Sequence, residues 1–180
     1  MDPVTAWRAE HASFQKILSL LQSQLDAFHR GEDPDLSIMA DIVVYLRDYS
    51  DRFHHPREDV AFQRLARKCP DLELTLARLG QEHRVIASAG DVLRKLVQDV
   101  VDGSVIPRVE VEVAAATYLV YYGNHIAKEE EDVLTRAAKE LTAEDWEAVR
   151  TAVPPSKDPL FGTSTEERYR ELRRQIAAEA

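Results

Sequence analysis

Two short stretches of this chain carry metal-binding residue types at a spacing that a helix can use. Phe53-His54-His55-Pro56-Arg57-Glu58 and His125-Ile126-Ala127-Lys128-Glu129 each place a histidine four residues ahead of a glutamate. Residues four apart lie one above the other on a helix face, so each pair offers an imidazole and a carboxylate to one cation. One such pair says little, because surface helices are rich in both residues. Here the pattern repeats. Glu10-His11 precedes the first pair and Glu82-His83 the second, and the His11–His54 interval recurs between His83 and His125 to within one residue. Each half of the sequence supplies one lone histidine and one His-x3-Glu pair. Four imidazoles and two carboxylates suit first-row metals. Carboxylates bridge two ions readily whereas imidazoles terminate on one, so two ions bridged by Glu58 and Glu129, each with two histidines, is the expected arrangement. Iron is the first expectation for such a mixed nitrogen and oxygen set, with manganese and zinc also open.

For these residues to meet, helices must bring them together, and the chain predicts such helices. Asp2 and Pro3 read as a helix start, and Ile17, Leu18, Leu21, Leu25 and Phe28 recur at helical spacing until Gly31. Ile38, Ile42, Leu46, Tyr49 and Phe53 share a second face that runs on through Phe62 and Leu65 to Cys69-Pro70. Pro56 inside it predicts a kink, or a fresh segment from Ser50 or Asp51. Asp71 is a candidate cap for a third helix carrying Leu72, Leu76, Leu79, His83, Ile86, Leu93 and Leu96, which stops at Asp102-Gly103. Pro107 opens a fourth through Val113, Leu119, Tyr122 and His125. Thr142 with Asp145 predicts a capped short fifth helix holding Trp146, and Ser164 with Glu167 has the capping-box spacing for a last amphipathic one. No stretch reads as a strand. The expectation is an all-α, up-down-up-down four-helix bundle over residues 1–140, with a helical extension over 141–180 packed on or beside it.

Antiparallel packing sets the levels. His11 lies as far before the end of the first predicted helix as His54 lies after the start of the second. His83 and His125 stand in the same relation about the third loop. All four histidines therefore fall within about one turn, roughly 5 Å of rise, of a common level.

Composition narrows the function classes. The chain has 180 residues, 44% hydrophobic and 31% charged, enough for one domain with a real core. A net charge of -9 without a basic cluster argues against nucleic acid and anionic membrane as partners. The longest apolar run, near 114–122, is too short to cross a bilayer, and residues 1–24 do not read as a signal peptide. Cys69 is the single cysteine, so no internal disulfide forms and a cytoplasmic location is expected.

From His11 to about Trp146 the sequence resembles the hemerythrin-like, or HHE cation-binding, family. The most specific parts are Phe53-His54-His55-Pro56-Arg57-Glu58 and His125-x3-Glu129-Glu130, and Asp158-Pro159-Leu160-Phe161-Gly162 resembles the tail of one bacterial branch. The resemblance implies a non-haem di-iron bundle of the Fe–O–Fe type with His11, His54, Glu58, His83, His125 and Glu129 as ligands. It departs from the oxygen carriers of that family in two places. Leu79 and Ala87 occupy the positions one turn either side of His83 where a second histidine would stand. The fourth helix has His-x3-Glu rather than a longer His-to-Asp spacing.

The implied function is binding or sensing of a small oxidising ligand, namely dioxygen, nitric oxide or peroxide. A di-iron ferroxidase or peroxidase, or an iron storage or donation protein of oxidative or nitrosative stress, is the alternative, so catalysis is left open. A helical interaction protein without metal is the third reading. An unidentified reductant and a homodimer are compatible with it. Of the other candidates, His55 is expected to point about 100° away from His54 as an outer or surface group. His29 reads as a partner of the helix C-terminus. Tyr118, Tyr121 and Tyr122 are placed to face the core, and Trp7 and Phe14 to wall the pocket. Glu130, Glu131 and Asp132 read as solvated, Cys69 as without a chemical role, and no role is assigned to Glu10 or Glu82.

Overall fold

The computed structural model describes residues 2–178. Helix α1 (Pro3–Arg30) starts where the Asp2 carboxylate accepts the Thr5 backbone N–H, and it ends at Gly31, whose left-handed φ of 81° costs a glycine nothing. After a short acidic turn, α2 (Leu36–Tyr45) continues through a π-wound segment (Leu46–His54) into α3 (His55–Lys68) as one rod. A 3-10 turn (Pro70–Leu72) leads into α4 (Glu73–Val101). The fourth rod is built in the same interrupted way, from α5 (Arg108–Lys128), a π-wound segment (Glu129–Val133) and α6 (Leu134–Glu140). Each rod packs on its sequence neighbours, and α1 closes the ring against α5 and α6. This is the expected up-down-up-down bundle, and the described residues contain no strand.

Beyond the four rods, α7 (Ala143–Ala152) lies against α3 and α8 (Arg170–Ala178) against α1 and α2. The predicted Thr142–Asp145 capping box forms in both directions. Asp145 also draws Arg64 (3.0 Å) and Lys68 (2.7 Å) from α3, which clamps the start of α7 to the bundle. The loop before α8 folds around Asp158, whose carboxylate accepts the backbone N–H groups of Leu160 and Phe161 and the buried Tyr45 hydroxyl.

Three local expectations are corrected. The fresh segment does not start at Ser50 or Asp51, which lie inside the π-wound turns; α3 begins at His55, with Pro56 in its first turn. The widened turns ahead of it let the His55 N–H reach the Ser50 carbonyl, five residues back, and the Arg57 side chain caps the Phe53 carbonyl. The chain thereby absorbs a residue that has no N–H to give. Asp71 does not cap the third helix; it lies in the 3-10 turn and pairs with Arg136 at 3.0 Å. Ser164 forms no capping box either, because its hydroxyl accepts from Lys157 and the tail enters α8 through a 3-10 turn (Glu167–Tyr169).

The core is split in two. One apolar cluster includes Phe14, Leu21, Ile42, Tyr45, Ile86, Leu93 and Tyr118, joined by Leu160, Tyr169, Leu172 and Ile176 from the tail. The other includes Val4, Trp7, Phe62, Leu65, Leu76, Leu79 and Leu134, joined by Trp146 and Val149. On every rod the break between the clusters falls at the same level. His11 lies between Trp7 and Phe14, His83 between Leu79 and Ile86, His54 and Glu58 between Tyr49 and Ala61, and Glu129 between Ile126 and Val133. A polar layer crosses the bundle there.

Candidate metal centre

Six side chains meet in that layer, one or two from each rod, and all are at least 95% buried. Glu58 Oε1 lies 3.1 Å from His54 Nε2 and 3.3 Å from His11 Nε2, while its Oε2 lies 3.5 Å from His83 Nε2. Glu129 mirrors this, with Oε1 3.0 Å from His125 Nε2 and 3.6 Å from His83 Nε2, and Oε2 3.4 Å from His11 Nε2. Each glutamate thus faces both halves of the layer, one oxygen to each. The sequence-predicted residues His11, His54, Glu58, His83, His125 and Glu129 are all brought together. Ligand-type atoms of His11, His54 and Glu58 lie within 4.8 Å of one another, and so do those of His55, Glu58, His83 and His125.

His55 is buried in this layer, which removes the surface half of the expectation and leaves the outer-group half. It is 3% exposed and stacks on His83 with centroids 4.3 Å apart. The step from His54 to His55 does turn it away from its neighbour, but in a four-rod bundle that turn carries it toward the other half of the centre rather than to solvent.

Every imidazole of the layer has a carboxylate behind it, and four of the five are hydrogen-bonded to it. The Nδ1 of His54 pairs with Glu10 (2.5 Å), that of His11 with Glu130 (2.9 Å) and that of His83 with Asp59 (2.8 Å). His125 Nδ1 pairs with Glu82 (3.2 Å), and His55 Nδ1 lies 3.0 Å from Asp51. Glu10, Glu82 and Glu130 therefore have partners that the sequence reading denied them, and Asp51 and Asp59 were missed. Their signal was present: Glu10, Asp59, Glu82 and Glu130 each sit next to a predicted ligand. A one-residue step of about 100° aims such a side chain at the neighbouring rod, where another rod's histidine presents its back. Arg57 steadies Glu10 at 2.6 Å and Arg8 steadies Glu130 at 3.1 Å.

This outer ring decides the chemistry of the centre. With the Nδ1–H groups directed outward, the Nε2 lone pairs point inward, onto glutamate oxygens that carry no hydrogen. All four oxygens of Glu58 and Glu129, with His83 Nε2 and His125 Nε2, are buried without a hydrogen-bond partner. His11 Nε2 and His54 Nε2 face each other at 3.0 Å. Acceptors turned on acceptors in a dry core repel unless positive charge lies among them, so the donor set fits a cation. In the metal-free chain protons answer that demand. Burial alone would lower the His54 imidazole, but the neighbouring Glu58 charge and the hydrogen bond to Glu10 outweigh it and lift it to about 9. His11 and His83 are also raised against their burial, by Glu58 and by Asp59 with Glu129 respectively. Burial opposes ionisation of Glu58 as well, yet His54 and its other imidazole contacts hold it well below the usual carboxylate range. Burial and then the His83 charge push His55 well below the ordinary imidazole value, so it stays neutral.

Aromatic rings wall the layer. Phe14 meets His54 edge-on at 5.0 Å, Trp7 lies 6.3 Å from the same ring, and Phe62 stacks on His83 at 5.9 Å. Tyr118 and Tyr122 are fully buried as expected, but Tyr121 is 45% exposed because it falls on the outer face of α5. His29 is exposed in the last turn of α1, and Cys69 is buried at the end of α3.

The Hemerythrin HHE cation binding domain model matches residues 2–137, which takes in all four rods up to α6. No curated protein and no solved structure matches the chain.

Proposed function

The chain belongs to the Hemerythrin HHE cation-binding domain family, and on that premise we propose that its polar layer holds two non-haem iron ions and presents them to a small oxidising ligand such as dioxygen, nitric oxide or peroxide. His11 and His54 would terminate on one ion, His83 and His125 on the other, with Glu58 and Glu129 spanning both. The observation that carries this reading is the buried all-acceptor centre: six orphaned acceptor atoms turned toward one another, each histidine locked from behind. Iron, when bound, supplies reversible one-electron chemistry and an open position for the ligand.

The chain's own residues do the rest. Glu10, Glu130, Asp59 and Glu82 fix the ring orientation of the four histidines and keep each Nδ1 protonated. The two glutamates balance the charge of the ions. The apolar clusters above and below the layer exclude water, so that a bound small molecule is not displaced by it. No helix of the described residues is long and apolar enough to cross a membrane.

The test is elemental analysis of protein purified without a metal-affinity tag, together with absorption spectra before and after reduction. About two irons per chain, with near-ultraviolet bands that bleach on reduction and return in air, is the expected result. Protein that stays metal-free after incubation with ferrous iron overturns the reading. Continuous consumption of peroxide by the loaded protein, in place of stoichiometric binding, would move it to the peroxidase class.

A further inference from the structure

Two buried hydroxyls next to the centre have no place in the donor set. Ser50 Oγ and the Tyr122 hydroxyl lie 2.5 Å apart, both residues at 0% exposure, and Ser50 Oγ lies 3.3 Å from His55 Nε2. His55 Nδ1 faces Asp51 at 3.0 Å. One donor order fits the whole row: Tyr122 can donate to Ser50, and Ser50 can donate to the His55 Nε2 lone pair, while the Nδ1 side of the ring faces Asp51. Among the described residues, no other histidine of the layer has a hydroxyl on its Nε2: those of His11 and His54 face each other, and those of His83 and His125 are orphaned.

The contact is a product of the π winding. Residues five apart diverge on an α-helix but stack when the turn is widened to i→i+5. The His55 N–H bonds the Ser50 carbonyl in that way, and the same registry sets the Ser50 hydroxyl on the His55 ring. Yet His55 is also within ligand reach of the half-centre formed by Glu58, His83 and His125. One lone pair has two claimants, a hydroxyl and a cation.

We propose that His55 is a displaceable ligand. The Ser50–Tyr122 pair holds its nitrogen back, keeping one position open beside His83 and His125 for a small anion or diatomic molecule, and the Ser50 hydroxyl turns to hydrogen-bond that molecule once it is bound. This rests on the metal-centre reading above. Without the Ser50 hydroxyl, the buried Nε2 loses its only donor and closes onto the ion. Without His55, the position stays open.

The experiment is azide titration of the ferric protein, followed by absorption, with iron content measured for every variant. Ser50→Ala is expected to keep two irons but bind azide about tenfold more weakly, the scale of one lost buried hydrogen bond. Ser50→Thr, which keeps the hydroxyl, is expected to retain wild-type affinity. His55→Ala is expected to keep two irons and bind azide at least as tightly as wild type. The double variant is expected to recover the part of that loss that comes from His55 closing onto the ion, and to fall short of His55→Ala by the missing hydroxyl. Unchanged azide affinity in Ser50→Ala, or loss of one iron in His55→Ala, overturns the proposal while leaving the metal centre standing. Absence of iron from the wild-type chain overturns the centre itself.

Discussion

Each inward-facing nitrogen of the layer is matched by an outward-facing one seated on a carboxylate, so the centre is built of couples rather than of single ligands. Replacing Glu58 or Glu129 with Gln removes one negative charge from both half-centres. Each variant is expected to lose at least one of the two irons, and elemental analysis that still finds both would rule out the shared position. Glu10→Gln and Glu82→Gln leave the inward ligands intact but weaken the hold on His54 and His125. Iron affinity is expected to fall about 10- to 100-fold, as read by competition with a chelator. The metal-free chain should also report its protonated histidines. His54 is lifted from the usual 6.5 to about 9, so the stability it contributes is fully present below pH 6.5 and is lost as pH rises through 9. The thermal midpoint of the metal-free protein is expected to fall across that window, and a flat profile would show that the proton is not held.

Elements do more here than carry ligands. The two π-wound segments lie on the second and fourth rods, one ending at His54 and the other beginning at Glu129, so both flank the layer. The tail turn around Asp158 works on the same scale. Its carboxylate takes the hydroxyl of Tyr45, a fully buried residue of α2, and its backbone carbonyl leaves no room for a Cβ on Gly162. Asp158→Ala leaves that hydroxyl unsatisfied and is expected to cost about 1–3 kcal/mol in denaturant unfolding. Iron content should be unchanged, because the turn touches the apolar cluster and not the layer.

At the scale of the whole molecule, the polar layer interrupts the apolar core. Four rods meet there through buried acceptor atoms without hydrogen-bond partners, and two apolar clusters hold them together from either side. Metal that binds only the folded chain adds to stability by mass action, about 4 kcal/mol at a free concentration a thousandfold above the dissociation constant. Chelation is therefore expected to lower the thermal midpoint by several degrees, and an unchanged midpoint would argue that the layer needs no cation.

The sequence by itself determined the helices, their antiparallel order and the level at which His11, His54, His83 and His125 meet, because helical periodicity and loop position are local properties. The His-x3-Glu pairs were legible for the same reason: both members sit on one face of one rod. Relations between rods were not. Glu10, Asp59, Glu82 and Glu130 hold histidines on other rods, and adjacency in the chain hid this, since the direction in which a side chain turns away has meaning only once a neighbour stands there. The choice between an outer and a surface place for His55 was hidden for the same reason, and the stacking of Ser50 on it depends on a widened turn that regular periodicity does not encode. Tertiary structure decided these matters because an imidazole has two nitrogens, and only the packed bundle says what stands at each.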